Sequence, residues 1–338
     1  MTNESLVSPA EQHRDQPPPQ VPHRALAPGP ISLEPFTKDM FENAVTTGGG
    51  EIVELGPETR GLVWLSEKDA DQLQAILDQY PQIDWVQLPW AGVDAFASVL
   101  EQLAGRPEQT RPVVTSAKGA YSEPVAEHAL ALLLGCLREL PSKSRDAHWQ
   151  PQRTGLSIFS RHIVLIGAGG VARAFLDLVA PLRARVTVVR RQPGDVPGAW
   201  RTITPDALHD ALPTADAVVV AAAATEGTKH VIGAAELALM PSHAVLVNIA
   251  RGTLVDLEAV VDAVSSGRLY GAGLDVMDPE PFPREHRVWA EKRIVISSHS
   301  ADTPEMTGPL LAGRVRSNVR AFLAGELLFG VVDPAAGY

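Results

Sequence analysis

The stretch His162-Ile-Val-Leu-Ile-Gly-Ala-Gly-Gly-Val-Ala172 decides how the rest of the chain is read. Its apolar, β-branched first half predicts a strand buried on both faces, and the glycines behind it predict a tight turn into an Ala-rich helix. Gly167 permits the bend out of the strand, and Gly169 lets backbone approach a pyrophosphate. Ala172, standing where a third glycine is common, still lets the helix pack closely on the strand. Strand, G-x-G-x-x-A and helix in that order predict a dinucleotide site, with Gly167, Gly169, Gly170 and Val171 at the phosphates.

Downstream of Arg161, strand-like and helical stretches alternate every ~25 to 30 residues, the rhythm of parallel strands joined by crossover helices. The strands are expected at 162–166, 185–189, 217–220, 244–248, 271–275 and 293–296, each nearly continuous in Val, Ile and Leu. Upstream, shorter runs at 31–33, 51–55, 61–65, 85–88 and 112–115, with helical spacing over 69–80, predict a smaller α/β unit. The segment Pro124–Leu140 reads as a helix apolar on nearly every side, with Ser122 and Glu123 as its cap and first-turn acid, placed at a domain or subunit boundary. From Thr303 the chain turns helical again and is expected to return to the first unit. The fold class is therefore α/β: a doubly wound parallel Rossmann sheet over 119–301, plus a smaller, discontinuous, flavodoxin-like substrate domain from 31–118 and 302–338. Residues 1–30, with seven prolines among Gln, His, Arg and Asp, read as a flexible tail.

Composition limits the function. With 338 residues, 45% hydrophobic and 20% charged, the chain is ordinary globular material with room for two cores. Its net charge of -11 argues against nucleic acid and anionic membranes, so an anionic substrate must be captured by local arginines. The single Cys136 lies in an apolar run and reads as a core residue. No apolar stretch is long enough to span a bilayer and the first residues are polar, so a cytoplasmic address is expected.

The end of the second strand bears on which dinucleotide is held. An acid is usual there for the ribose 2′-hydroxyl, whereas Val188-Val189 is followed by Arg190 and Arg191, which suit a 2′-phosphate. NADP is the expected cofactor, with NAD possible; a solvated basic pair with Asp195 nearby is the plainer reading. Arg251 follows Val247-Asn248-Ile249-Ala250 and precedes Gly252, placing a two-pronged donor for a carboxylate at a strand end. His299 closes the last strand in Ile296-Ser-Ser-His-Ser300 and can donate a proton near neutral pH, while Glu280, in Asp278-Pro-Glu-Pro281, could fix its tautomer. No metal site is expected.

The order Gly167-Ala-Gly-Gly-Val171, Asn248-Ile-Ala-Arg-Gly-Thr-Leu-Val-Asp256, Gly273-Leu-Asp-Val-Met-Asp-Pro-Glu-Pro281 and Ser298-His-Ser300 resembles the D-isomer-specific 2-hydroxyacid dehydrogenases over about Ile31 to Tyr338. Trp90-Ala-Gly-Val-Asp94 and Val125-Ala-Glu-His128 resemble further blocks of that family. The resemblance implies that Arg251 binds the substrate carboxylate with the amides of Gly92 and Val93, and that Glu280 and His299 form the acid/base pair. It also implies that Asp275 approaches the nicotinamide and that Thr225 and Ala250 line the cofactor. The arginine pair is similar to the NADP-preferring glyoxylate/hydroxypyruvate reductase branch. This sequence departs from the family at Ala222-Ala-Ala-Thr225, where Leu-Pro-Leu-Thr is usual, at Ser297-Ser298, where Thr-Pro is usual, and at Ala172.

The implied activity is reduction of a small 2-keto acid to the D-2-hydroxy acid with NAD(P)H by a homodimer, with His299 as proton donor. A dinucleotide-sensing regulator of the same fold, like the corepressors of this superfamily, is the alternative, and the Pro-rich tail would suit it. Lack of a basic surface favours the enzyme.

Overall fold

The computed structural model describes residues 23–335, which form two compact units. The first runs up to Tyr121 and resumes at Pro304; the second is Ser122–Thr303. In the first, β1 (Ile31–Glu34), α1 (Asp39–Thr47), β2 (Gly61–Trp64), α2 (Ala70–Gln79), β3 (Trp85–Gln87), α3 (Ala97–Ala104) and β4 (Val113–Thr115) follow in order. The four strands are parallel in the order β1-β2-β3-β4.

The expected strand at 51–55 does not form. Ile52 makes one parallel bridge to Ile31, with Ile31 N–H donating to Glu51 O (2.8 Å) and Val53 N–H to Ile31 O (3.0 Å). Ile52 is exposed, so the segment leaves its largest side chain uncovered, and Gly56-Pro57 follows at once and ends any extended run. Counting that bridge as a reduced strand beside β1 gives the flavodoxin-like order 2-1-3-4-5.

The second unit starts with α4 (Ser122–Leu137) and the short α5 (Leu140–Lys143). Then come β5 (His162–Ile166), α6 (Gly170–Val179), β6 (Arg185–Val189), β7 (Arg201–Ile203), α7 (Leu208–Ala211) and β8 (Ala217–Val220). It closes with α8 (Ala234–Leu239), β9 (Val245–Asn248), α9 (Leu257–Ser265), β10 (Gly271–Leu274) and β11 (Ile294–Ile296). All seven strands are parallel in the order β11-β10-β9-β8-β5-β6-β7. The chain winds outward from β5 to β7, then crosses back to β8, so the order reverses between β5 and β8. The sequence pattern passes over β7, because Arg201-Thr-Ile203 is too short and polar for a periodicity to register.

Side-chain alternation explains the double winding. Ile163, Leu165, Val219 and Val247 face Leu133, Phe175, Leu176 and Val179, while Val164, Ile166, Val218 and Leu246 face Leu237, Val260, Val261 and Val264. Helix α4 finds cover within its own unit, on α6, β9 and β10, with Leu132, Leu133, Cys136 and Leu137 buried. Ser122 is its first helical residue rather than a cap preceding it. Burial among these side chains pushes the Cys136 thiol up to about 12.

The last helix, α10 (Pro304–Ala324), packs with α1 in the first unit. Asn318 is fully buried there: its Nδ2 donates to Gln87 Oε1 (2.8 Å) and Phe329 O (3.0 Å), and its Oδ1 accepts Phe329 N–H (2.8 Å). Gln87 Oε1 also accepts from Thr115 Oγ1 (2.9 Å), which Trp85 Nε1 meets at 2.8 Å. Of the Pro-rich stretch, residues 1–22 lie outside the described residues. Residues 23–30 are tied to the first unit by the Arg24 guanidinium, which pairs with Asp84 (2.5 Å) and donates to Arg111 O (3.1 Å). Among the described residues no helix is long and apolar enough to cross a membrane.

Asn318→Ala should leave the half-buried amide and carbonyl of Phe329 without their partners and cost about 1 to 3 kcal/mol. Urea unfolding, with the midpoint lowered at an unchanged slope, checks this.

Candidate active site

The register of the second sheet sets out the site. Ile166, Val220, Asn248, Leu274 and Ile296 pair in a row across β5, β8, β9, β10 and β11. The next residues, Gly167, Ala221, Ile249, Asp275 and Ser297, therefore leave the sheet side by side, about 4.8 Å from strand to strand. In open α/β sheets this carboxyl edge is where ligands bind.

Gly167 sits at the reversal of strand order with φ +116°, and a Cβ there would come within 2.4 Å of Ala221 O. Only glycine meets both demands. At Gly169, the residue before α6, a Cβ would meet nothing within 4 Å, so the approach to the helix N-terminus is open. Gly170 and Val171 open the helix, whose first amides have no partner within it. Ala172 is fully buried under that first turn. These features suit a dinucleotide pyrophosphate, and the alanine in the third position fits where it stands. Arg190 and Arg191 follow β6, half-buried and exposed respectively. Thr225 opens a short turn by donating its N–H to Thr228 Oγ1 (2.8 Å); Ala222 is half-buried and Ala223 and Ala224 are exposed.

Beyond β9, Asn248 shapes the turn that carries Arg251. Its buried amide donates to Arg251 O (2.9 Å) and accepts Ala250 N–H (3.1 Å), while Arg251 donates to Ala250 O (2.8 Å). Ala250 itself is buried. Gly252 lies so close to the loop after β10 that a Cβ would fall 2.1 Å from the Met277 carbonyl. That contact accounts for the Asn-x-x-Arg-Gly spacing.

Glu280 and His299 meet. Glu280 Oε1 accepts Met277 N–H (2.8 Å), and Oε2 lies 2.7 Å from His299 Nδ1, with both side chains partly exposed. Ser298 and His299 are consecutive left-handed residues, φ +52° and +53°, a conformation that costs about 1 to 3 kcal/mol each outside glycine. Proline, locked near φ -65°, cannot occupy position 298 in this turn.

Asp275 holds the turn. It is buried, its Oδ1 accepts Ser297 Oγ–H (2.7 Å) and Ser300 N–H (2.8 Å), and its Oδ2 accepts Ala301 N–H (3.2 Å). The backbone carbonyl of Asp275 accepts His299 N–H (2.5 Å). Burial pushes the Asp275 carboxyl up, but hydrogen bonding from His128, Ser297 and Ser300 outweighs it and holds the group below the usual carboxylate range.

Asp302, which sequence reasoning passed over, is half-buried. Burial pushes its carboxyl up, the charges of His299 and Arg251 pull it down, and Asp275 pushes it up, with a net rise. The signal available was a third carboxyl three residues past His299. Gly92 and Val93 lie in the first unit, in the loop after β3; Val93 is buried and its carbonyl accepts Phe96 N–H. Among the described residues no cluster of His, Cys, Asp or Glu is arranged to hold a metal ion.

Residues 130–301 match the family model described as D-isomer specific 2-hydroxyacid dehydrogenase, NAD binding domain. The uncharacterized protein in the proB 3′ region of Corynebacterium melassecola is 31% identical over 263 residues, 76% of this chain and 84% of that one. The glyoxylate reductase of Thermococcus gammatolerans is 30% identical over 227 residues, 63% of this chain and 67% of that one. In fold, the chain is similar to a D-isomer specific 2-hydroxyacid dehydrogenase from Xanthobacter autotrophicus Py2, solved in complex with NADPH and MES. The TM-score is 0.74 at 23% identity, over 92% of this chain and 100% of that one.

The depressed Asp275 pKa gives a sign. A carboxylate ionised more readily in the folded state stabilises above its unfolded pKa, and that stabilisation fades as pH falls through the folded value. Asp275→Asn should therefore cost about 2 to 4 kcal/mol at neutral pH, with the gap to the parent chain narrowing below about pH 4. Thermal melts across that range check it.

Proposed function

The chain belongs to the D-isomer specific 2-hydroxyacid dehydrogenase family, and on that premise we propose that it reduces a small 2-keto acid of the glyoxylate or hydroxypyruvate kind to the D-2-hydroxy acid, with NADPH as reductant. The observation that carries this reading is the 2.7 Å contact of His299 Nδ1 with Glu280 Oε2, on the same sheet edge as Arg251 and the Gly167 turn. The glyoxylate reductases among its relatives support the choice of substrate.

Glu280 Oε2 accepts a hydrogen bond from His299 Nδ1–H, so the protonated ring presents its second N–H at Nε2, and this is the proton given to the substrate oxygen. Arg251 clamps the substrate carboxylate as a planar two-pronged donor, which fixes the carbonyl relative to His299. A bound nicotinamide supplies the hydride that the carbonyl carbon receives. Asp275 belongs to the framework beneath the nicotinamide end, and Thr225 and Ala250 to the cofactor wall. Arg190 and Arg191 take the 2′-phosphate, at a strand end that places no carboxylate in positions 190 or 191 to repel it.

Loss of reduced-nicotinamide absorbance with glyoxylate or hydroxypyruvate tests the reading. Reduction needs the protonated ring of His299 and oxidation of the hydroxy acid needs the neutral one, so the two directions should show opposite pH preferences; identical profiles would remove His299 as the donor. Replacing Arg190 and Arg191 together by Ala should raise KM for NADPH about tenfold or more and leave that for NADH within about twofold. Equal losses with both coenzymes would sink the 2′-phosphate assignment.

A further inference from the structure

Three side chains behind the His299 turn form a directed chain. Ser297 Oγ has one proton and donates it to Asp275 Oδ1 at 2.7 Å. At its 2.8 Å contact with His128 Nε2 the hydroxyl must then accept, so His128 carries its proton on Nε2. His128, on α4, also stands 3.4 Å from Asp275 Oδ1. Asp275 in turn takes the amides of Ser300 and Ala301 on its carboxylate and the amide of His299 on its carbonyl. Four hydrogen bonds around the left-handed pair Ser298-His299 end on Asp275, beside one from Ser300 Oγ to Ser297 O, and His128 and Ser297 fix where that carboxylate points.

We propose that Ser297 and His128 are positioning residues for the proton donor: through Asp275 they hold the turn so that His299 Nδ1 stays on Glu280 and Nε2 faces the substrate. The proposal rests on the reading of His299 given above. Neither residue touches the Glu280-His299 contact, so each acts at one remove. Ser297 and Ser298 together allow this arrangement, since the serine hydroxyl supplies the link and position 298 must accept a positive φ.

Paired variants separate this role from a merely structural one. Ser297→Thr keeps the hydroxyl and His128→Gln keeps a donor, whereas Ser297→Ala and His128→Leu keep neither. The second pair should lower kcat about 10- to 100-fold, as a small misplacement of a reacting group does, with the NADPH dissociation constant within about twofold of the parent's. The first pair should retain kcat within about threefold. In 15N-histidine spectra the hydrogen-bonded Nδ1–H signature of His299 should be present in the parent and in Ser297→Thr, and lost in Ser297→Ala. Unchanged kcat and spectrum in Ser297→Ala overturn the proposal, as does loss of kcat and coenzyme binding together in all four variants. If the parent turns over no keto acid yet Ser297→Ala alone loses the signature, the positioning role stands and the assigned reaction falls.

Discussion

All seven strands of the larger unit run the same way, and that constraint sets out the edge on which the Gly167 turn, Arg251, Glu280 and His299 stand. Parallel strands need crossovers, crossovers put helices on both faces, and a sheet covered on both faces leaves only its edges and ends for polar side chains. The carboxyl ends collect the residues that follow each strand. Turns far apart in sequence, at 167, 221, 249, 275 and 297, thus come to stand in one row because their preceding residues are in register.

Within that row a buried carboxylate carries most of the local order. An isolated charge in such a place is costly, and Asp275 is tolerated because two backbone amides and a serine hydroxyl meet its oxygens and a histidine stands close by. The same hydrogen bonds give the Ser298-His299 turn a conformation that neither residue would adopt freely. Desolvation of one acid is thus coupled to the strained placement of a base.

The parts legible in the sequence are those with a local physical cause. Gly167 had to be glycine for both its φ and its distance from Ala221, and a glycine after a Val/Ile run announces that. Asn248 and Gly252 were read as a spacing, and the structure adds why: one holds the turn, the other admits the Met277 carbonyl. Ile52 and Arg201–Ile203 depart from the sequence pattern in opposite directions, because apolar content alone neither makes a strand at an exposed edge nor is needed for one that borrows its pairing from β6. Ser297 and His128 stand in the sequence only as a departure from a pattern and as part of a block, since their contact spans 169 positions.

Three acids near one histidine show how position divides labour among identical groups. Asp275 is buried but hydrogen-bonded, so its charge is retained and serves the framework. Glu280 is partly exposed, with one oxygen committed to Met277 and the other to His299, so it orients the ring without being sealed from water. Asp302 is half-buried, and the favourable charges of His299 and Arg251 do not overcome its desolvation. The charge of Arg251 favours the ionised acid, and burial opposes it by favouring the neutral one. Three carboxyls near one stretch of sheet edge thus differ by what surrounds them: Asp275 by amides and a hydroxyl, Glu280 by one amide and the His299 ring, and Asp302 by burial.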